Sequence, residues 1–272
     1  MSSMKQAGVI NDGTSSASKK DDSSQRQNRR PTSECVKRIR ADVRYLEQEP
    51  LLGIYCFPDE EFSTIQHALI VGPFDTPYEG GFFYFLIDCP DNYPHEPPKV
   101  TLMTTGGGTV RFNPNLYSNG KVCLSILGTW SGPGWAPVNS LASVLLSIQS
   151  LMNEKPYHNE PGFEDTNATD CSNYSECIRH ETLRVAVCDM VTSDTGFFPE
   201  RFRQTIHNLF LSFFEIYELT CNSNLHKTGQ VILNCSNLSN MLHSKFKRML
   251  LAVMILQKPF INLNPTQLLS EW

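Results

Sequence analysis

The chain has no apolar run near the ~20 residues that a bilayer-spanning helix requires, which argues against a membrane protein. It also lacks an excess of charge of one sign. Lys and Arg number 23 and Asp and Glu 28, and the net charge of −5 is too mild to point to nucleic acid or an anionic membrane as a partner. No Cys-x-x-Cys pair occurs, so the paired spacing of structural zinc sites is missing. Cys171, Cys177 and His180 stand near one another, but no second pair completes them, and neither a metal nor another cofactor is expected. Residues 1–32 are rich in Ser, Lys, Asp and Gln and hold no apolar stretch. They do not read as a secretory signal. They cannot bury enough surface to offset chain entropy, so a disordered tail is expected.

What is present suits an ordinary folded protein. With 272 residues, 40% of them hydrophobic, the chain can hold one domain of usual size plus an extension. Nine cysteines are an odd, scattered set, which predicts reduced thiols and a cytoplasmic or nuclear setting. Cys56 and Cys89 lie in strand-like runs and are expected to be buried as small apolar groups. Triplets such as Asn167-Ala168-Thr169 are expected by chance and carry no meaning as glycosylation sites there.

Periodicity gives the layout. Cys35, Val36, Ile39, Val43 and Leu46 recur at helical spacing, with Lys37, Arg38, Arg40 and Arg44 on the other face. This predicts a helix from Ser33, as cap, to about Gln48, closed by Pro50. Strand-like runs follow at Ile54–Phe57, Ile65–Val71, Phe82–Asp88 and Lys99–Met103, separated by Pro/Gly turns. Helices are expected at Val138–Met152, Asn173–Met190, Pro199–Thr220 and Ser239–Gln257. The fold class is therefore α+β: a helix, a mainly antiparallel meander of four strands, then helices. The expected organisation is a tail over 1–32, a core over 33–164 and a helical extension over 165–272. The apolar stripes of the extension are expected to be buried faces, with a docking face as the alternative.

The most telling run is Arg111-Phe112-Asn113-Pro114-Asn115-Leu116-Tyr117-Ser118-Asn119-Gly120-Lys121-Val122-Cys123. It places an amide and a thiol on an extended, turning backbone. A thiol can carry an acyl group as a thioester, and an amide N–H can bond the oxyanion formed when that thioester is attacked. The bland alternatives are a packing cysteine and a turn asparagine.

This run resembles the active-site segment of ubiquitin-conjugating enzymes. Gly72–Phe82 is similar to the family's turn between its second and third strands. Tyr93–Val100 is similar to its proline-rich loop, and Trp135-Ala136-Pro137 to its Trp-x-Pro. The resemblance covers roughly residues 33–164. Asn113 in place of the family's usual histidine, Ile126–Trp135 and Pro156–Glu164 point within the family to a large member with a C-terminal extension. The resemblance implies the ubiquitin-conjugating fold and a transferase that carries ubiquitin, or a ubiquitin-like modifier, on Cys123. Asn115 would serve isopeptide formation. An acidic residue usually lies two positions after the cysteine, where Ser125 stands here, so Glu160 is left as the carboxylate that helps the substrate lysine lose its proton. Lys37, Arg38, Arg40 and Arg44 would meet the ubiquitin-activating enzyme, the less common one by this resemblance. His95 and Pro137 would meet ubiquitin ligases, although the family more often has an aromatic at the His95 position. Protein substrates complete the expected partners.

Two other classes stay open. A cysteine hydrolase would need a histidine base, for which His158 is the nearby candidate. A non-catalytic scaffold would bind the modifier without carrying it, and Cys123 argues against that.

Overall fold

The computed structural model describes residues 29–164, 168–193, 196–227, 231–232 and 242–243. Helix α1 runs Ser33–Gln48 and buries Cys35, Ile39, Val43 and Leu46. Its cap is Thr32 rather than Ser33. Thr32 has the extended backbone a cap needs, and its hydroxyl accepts from the Cys35 N–H at 3.0 Å. Residues 29–32 fall within the expected tail, but Arg29 pins them. Its Nε donates to Asp91 at 2.9 Å, and its guanidinium also meets Asp88. The remainder of the tail, 1–28, lies outside the described residues.

Strands β1 (Ile54–Pro58), β2 (Ile65–Val71), β3 (Phe82–Asp88) and β4 (Lys99–Leu102) form one antiparallel sheet in the order β1-β2-β3-β4. Alternation along the strands divides their side chains between two faces. Ala68, Ile70, Phe83, Phe85 and Ile87 join the inner core with α1. Leu69, Val71, Phe82 and Tyr84 join a second cluster on the other face. Both faces are buried, which is why β3 is apolar almost throughout.

Helix α2 is Leu141–Leu151, shorter than expected. Ser140 caps it in a capping box with Ser143. The preceding Pro137–Asn139 stay out of the helix because Arg38 binds the carbonyl oxygens of Pro137 and Asn139. Helix α3 begins at Ala168 and runs to Glu181. A π-helical stretch, Thr182–Asp189, and a closing turn, Met190–Thr192, carry it on. The expectation was one regular helix from Asn173. The wider π turns change the phase of the buried face. Tyr174, Ile178, Val185 and Ala186 enter the inner core, whereas Leu183, Val187 and Met190 enter the outer one. The inner core therefore holds residues from both sides of position 164.

Helix α4, Glu200–Ser223, lies on the outer sheet cluster through Phe202, Ile206, Phe210, Phe214, Tyr217 and Cys221. Leu209 and Phe213 are only partly buried beside this cluster, because the i, i+4 row from Phe202 selects Phe210 and Phe214 instead. The Tyr217 hydroxyl donates to the Gly80 carbonyl at 2.8 Å. A Cβ on Gly80 would lie 2.8 Å from the Tyr217 ring, and one on Gly81 2.7 Å from Thr182, so the paired glycines let the extension seat against the β2–β3 turn. The helix expected at Ser239–Gln257 lies outside the described residues except at Leu242–His243. That dipeptide, β6, pairs antiparallel with Val231–Ile232, β5. Its backbone bonds run across to the partner strand, which replaces a helical pattern at that point.

His180, one of the residues weighed as a metal ligand, is buried and shares a 2.8 Å hydrogen bond with Glu181. Among the described residues no cluster of three or more His, Cys, Asp or Glu could hold a metal ion. Burial alone would raise the Glu181 carboxyl. Hydrogen bonds from His180 and Arg184 outweigh it and hold the group below the usual range. A depressed folded pKa stabilises the fold above the unfolded value of about 4.3, and this stability fades as pH falls through the lower folded value. Thermal melts of native chain and Glu181→Gln should therefore differ near neutral pH and converge below about pH 4. A gap that stays constant with pH would remove the charge from the account.

Candidate active site

The chain reaches Cys123 by doubling back. Thr101 pairs with Lys121 and Leu116 with Val122 in isolated bridges. Gly120 closes the turn between them with φ +86°, and a Cβ there would lie 2.7 Å from the Leu102 carbonyl oxygen. Glycine alone lets this turn press against β4. Two bonds then lock the predicted pair together. The Cys123 N–H donates to the Asn115 carbonyl at 2.9 Å, and Asn115 Nδ2 donates to the Cys123 carbonyl at 2.9 Å. Cys123 is 2% exposed and Asn115 4%.

The amide of Asn115 has a fixed direction. Its Oδ1 is buried and meets no donor among the described residues. Leaving such an acceptor bare costs about 1–3 kcal/mol. Turning the amide over would set that oxygen against the Cys123 carbonyl oxygen and lose the bond, so Nδ2 stays aimed at Cys123. Nδ2 carries two hydrogens. One holds the Cys123 carbonyl, and no second acceptor takes the other among the described residues.

Asn113 organises the approach. It is fully buried. Its Nδ2 donates to the Tyr78 hydroxyl and the Leu151 carbonyl, each at 2.8 Å. Its Oδ1 accepts from the Asn115 N–H at 3.0 Å and from Asn159 Nδ2 at 3.3 Å. Arg111 grips the same segment from outside. It donates to the carbonyls of Asn113 and Pro114, stacks 4.1 Å from the Tyr117 ring, and reaches Glu160 at 3.3 Å. Glu160 thus stands beside the Asn113–Asn115 segment with its carboxylate paired to Arg111.

After the cysteine, Ser125–Leu127 form a single 3₁₀ turn. Thr129 ties the loop down. Its hydroxyl donates to the Val122 carbonyl at 2.8 Å and accepts from the Leu124 N–H at 3.0 Å. Among the described residues no side chain hydrogen-bonds the Cys123 sulfur. His158, the candidate base of the hydrolase reading, has its Nε2 2.9 Å from the Cys171 sulfur instead.

The peripheral residues divide. Lys37, Arg40 and Arg44 are exposed on α1. Arg38 works inside the chain, donating to Asp42 at 2.9 Å and to the carbonyls of Pro137 and Asn139. His95 is exposed, with Glu34 at 3.5 Å. Trp135 Nε1 donates to the Pro94 carbonyl at 2.7 Å, which brings the His95 loop beside the Pro137 loop. Tyr78, Arg111, Asn159 and Thr129 escaped the sequence reading as site residues. All four lie in segments noted for the resemblance, and only their contacts reveal why.

The comparisons bear on this geometry. The family model described as ubiquitin-conjugating enzyme matches residues 38–182. The chain belongs to the ubiquitin-conjugating enzyme family. It is 55% identical over 204 residues to ubiquitin-conjugating enzyme E2 Z of Homo sapiens, covering 75% of this chain and 57% of that one. The same identity and length hold for ubiquitin-conjugating enzyme E2 Z of Xenopus tropicalis, of which 65% is covered. A probable ubiquitin-conjugating enzyme protein 17 of Caenorhabditis elegans is 48% identical over 157 residues, 54% of this chain and 22% of its own length. The chain spans 57–65% of the length of these E2 Z relatives. The family match continues past Glu164 to Thr182, which takes in Tyr174 and Ile178 of the inner core.

The two hydrogen bonds between Asn115 and Cys123 lead to a prediction. On the thioester reading proposed below, Asn115→Ala should leave loading of Cys123 nearly intact while transfer to an amine falls by about 100-fold, the usual loss for one oxyanion donor. Single-turnover loading and discharge measure the two steps separately. Equal loss in both would reduce Asn115 to a support for the loop.

Proposed function

We propose that this chain accepts ubiquitin from an activating enzyme as a thioester on Cys123 and passes it to a substrate lysine, with a ubiquitin ligase assisting. The observation that carries the reading is the mutual lock of Asn115 and Cys123, with a second N–H of the Asn115 amide that takes no acceptor among the described residues. In loading, the Cys123 sulfur attacks the thioester carbonyl carbon, a new C–S bond forms, and the activating enzyme's thiol leaves. In transfer, the lysine nitrogen attacks the carbonyl carbon, the C–S bond breaks, and Cys123 departs as thiolate. The remaining Asn115 N–H supports the oxyanion between these events. No histidine base is required, since cysteine is intrinsically nucleophilic.

Glu160 is the proposed acceptor of the lysine proton. A lysine is almost fully protonated at neutral pH, with a pKa near 10.4. Its carboxylate also pairs with Arg111 at 3.3 Å, which holds it beside the Asn113–Asn115 segment. The finer reading follows the E2 Z resemblance. It names the less common ubiquitin-activating enzyme, a possible tandem ubiquitin-like modifier, and a cytoplasmic or nuclear setting. Lys37, Arg40 and Arg44 suit an activating-enzyme contact, and the joined His95 and Pro137 loops suit a ligase contact.

A charging assay with each activating enzyme and each modifier tests the reading. The expected product is an adduct that thiol reductant removes. Cys123→Ser should form an adduct that resists reductant and does not discharge to lysine, because an oxyester is less reactive. Turnover by the serine chain would exclude Cys123 as the carrier.

Glu160→Gln should slow discharge to lysine most near pH 7 and recover toward about pH 9, where more neutral amine is present. Single-turnover discharge across that range is the measurement. A loss independent of pH would leave Glu160 as the partner of Arg111 alone.

A further inference from the structure

His158 and Cys171 form a second nucleophile and base, separate from Cys123. The His158 Nε2 lies 2.9 Å from the Cys171 sulfur. Both residues are half-buried. Cys171 sits near the start of α3, four residues into the helix. Burial pushes Cys56, Cys188 and Cys221 up to about 12 and raises Cys35 and Cys89 as well. Those groups stay protonated and unreactive at neutral pH.

We propose that Cys171, with His158 as its base, is a peroxide-reactive modification site whose oxidation acts on the catalytic loop. The imidazole takes the thiol proton. The sulfur attacks the nearer peroxide oxygen, an S–O bond forms and the O–O bond breaks. The departing hydroxide takes the proton from the imidazolium and leaves as water. Sulfur is oxidised by two electrons to a sulfenic acid and the peroxide is reduced.

The route to the catalytic loop is short. His158 lies in the 3₁₀ turn Pro156–Asn159. Its neighbour Asn159 donates to Asn113 Oδ1 at 3.3 Å and to the Leu151 carbonyl at 3.0 Å. Glu160, next along, meets Arg111. Oxidation adds an oxygen between Cys171 and His158, moves the imidazole, and so disturbs the turn that helps hold Asn113 and, through it, the Asn115 N–H.

The test treats the full chain with hydrogen peroxide in the presence of dimedone, which traps sulfenic acids, and maps the adducts by mass spectrometry. Cys171 should label at least about tenfold faster than Cys188, the other half-buried thiol on α3's continuation. His158→Gln should slow Cys171 labelling by about tenfold or more with an unchanged melting midpoint. Equal rates at Cys171 and Cys188, or full labelling without His158, overturn the site. A second arm rests on the thioester reading. The chain is charged first, so that the modifier covers the Cys123 sulfur, then exposed to peroxide, quenched with catalase and given lysine. Discharge should slow in the native chain and not in Cys171→Ser. Equal slowing in both overturns the link to the catalytic loop. Failure to charge at all overturns the thioester reading, and the labelling arm still decides for or against the site.

Discussion

The amide of Asn113 is the constraint on which the site depends. It is fully buried and has four partners from four parts of the chain. Tyr78 comes from the β2–β3 turn, Leu151 from the end of α2, Asn115 from the catalytic segment, and Asn159 from the following 3₁₀ turn. An asparagine side chain offers two N–H donors and an oxygen with two lone pairs, so its capacity is filled. An imidazole has two ring nitrogens and could serve at most two of these groups. The asparagine found where the family more often has histidine is therefore a change of network rather than a loss. Asn159 and Tyr78 are the residues that make the change workable, and Asn153 steadies Asn159 in turn with a 2.9 Å bond.

The second constraint is a sheet with no wet face. An antiparallel sheet commonly exposes one side. Here Leu69, Val71, Phe82 and Tyr84 meet Phe198, Phe202, Ile206 and Phe210. The helical extension is consequently part of the same packing problem as the catalytic half. The joint is the β2–β3 turn. Tyr217 and Thr182 press on Gly80 and Gly81, while Tyr78, just before them, donates to the Phe112 carbonyl at 2.8 Å and accepts from Asn113. One short turn thus touches both the extension and the residue that holds Asn115.

Much of this was legible from the chain alone, for identifiable reasons. β2 and β3 lie where the apolar runs and Pro/Gly turns put them, and α1 follows its apolar spacing, because period and punctuation are local signals. The nearness of Asn115 to Cys123 was legible because a turn between them leaves few alternatives. What escaped depends on distant parts of the chain. Ser33 and Thr32 are equally good caps by type, and only the backbone angles choose between them. The phase of α4 and the π turns of Thr182–Asp189 are set by the sheet face that they cover. Arg38 reads as a solvated cation, yet two carbonyls of the Pro137–Asn139 segment claim it. His158 reads as a partner for the motif cysteine by closeness in sequence, and the start of α3 supplies a different sulfur.

Asn115 Oδ1 is one of four buried side-chain polar atoms that find no hydrogen-bond partner among the described residues. Buried polar atoms are nearly always paired, so this one needs a reason. The side chain must satisfy two demands. Its neighbour's carbonyl requires a donor on one side, which fixes which end of the amide faces Cys123. The other end then falls in a buried place where no donor among the described residues reaches it. Relieving that oxygen by rotation would remove the bond to Cys123 and turn the N–H groups away. On the proposed reaction those N–H groups are needed where negative charge develops on the attacked carbonyl oxygen. On that reading the carbonyl of Cys123 sets the direction of the group that would assist it, and one unpaired oxygen is the cost of holding the donor in place before any substrate arrives.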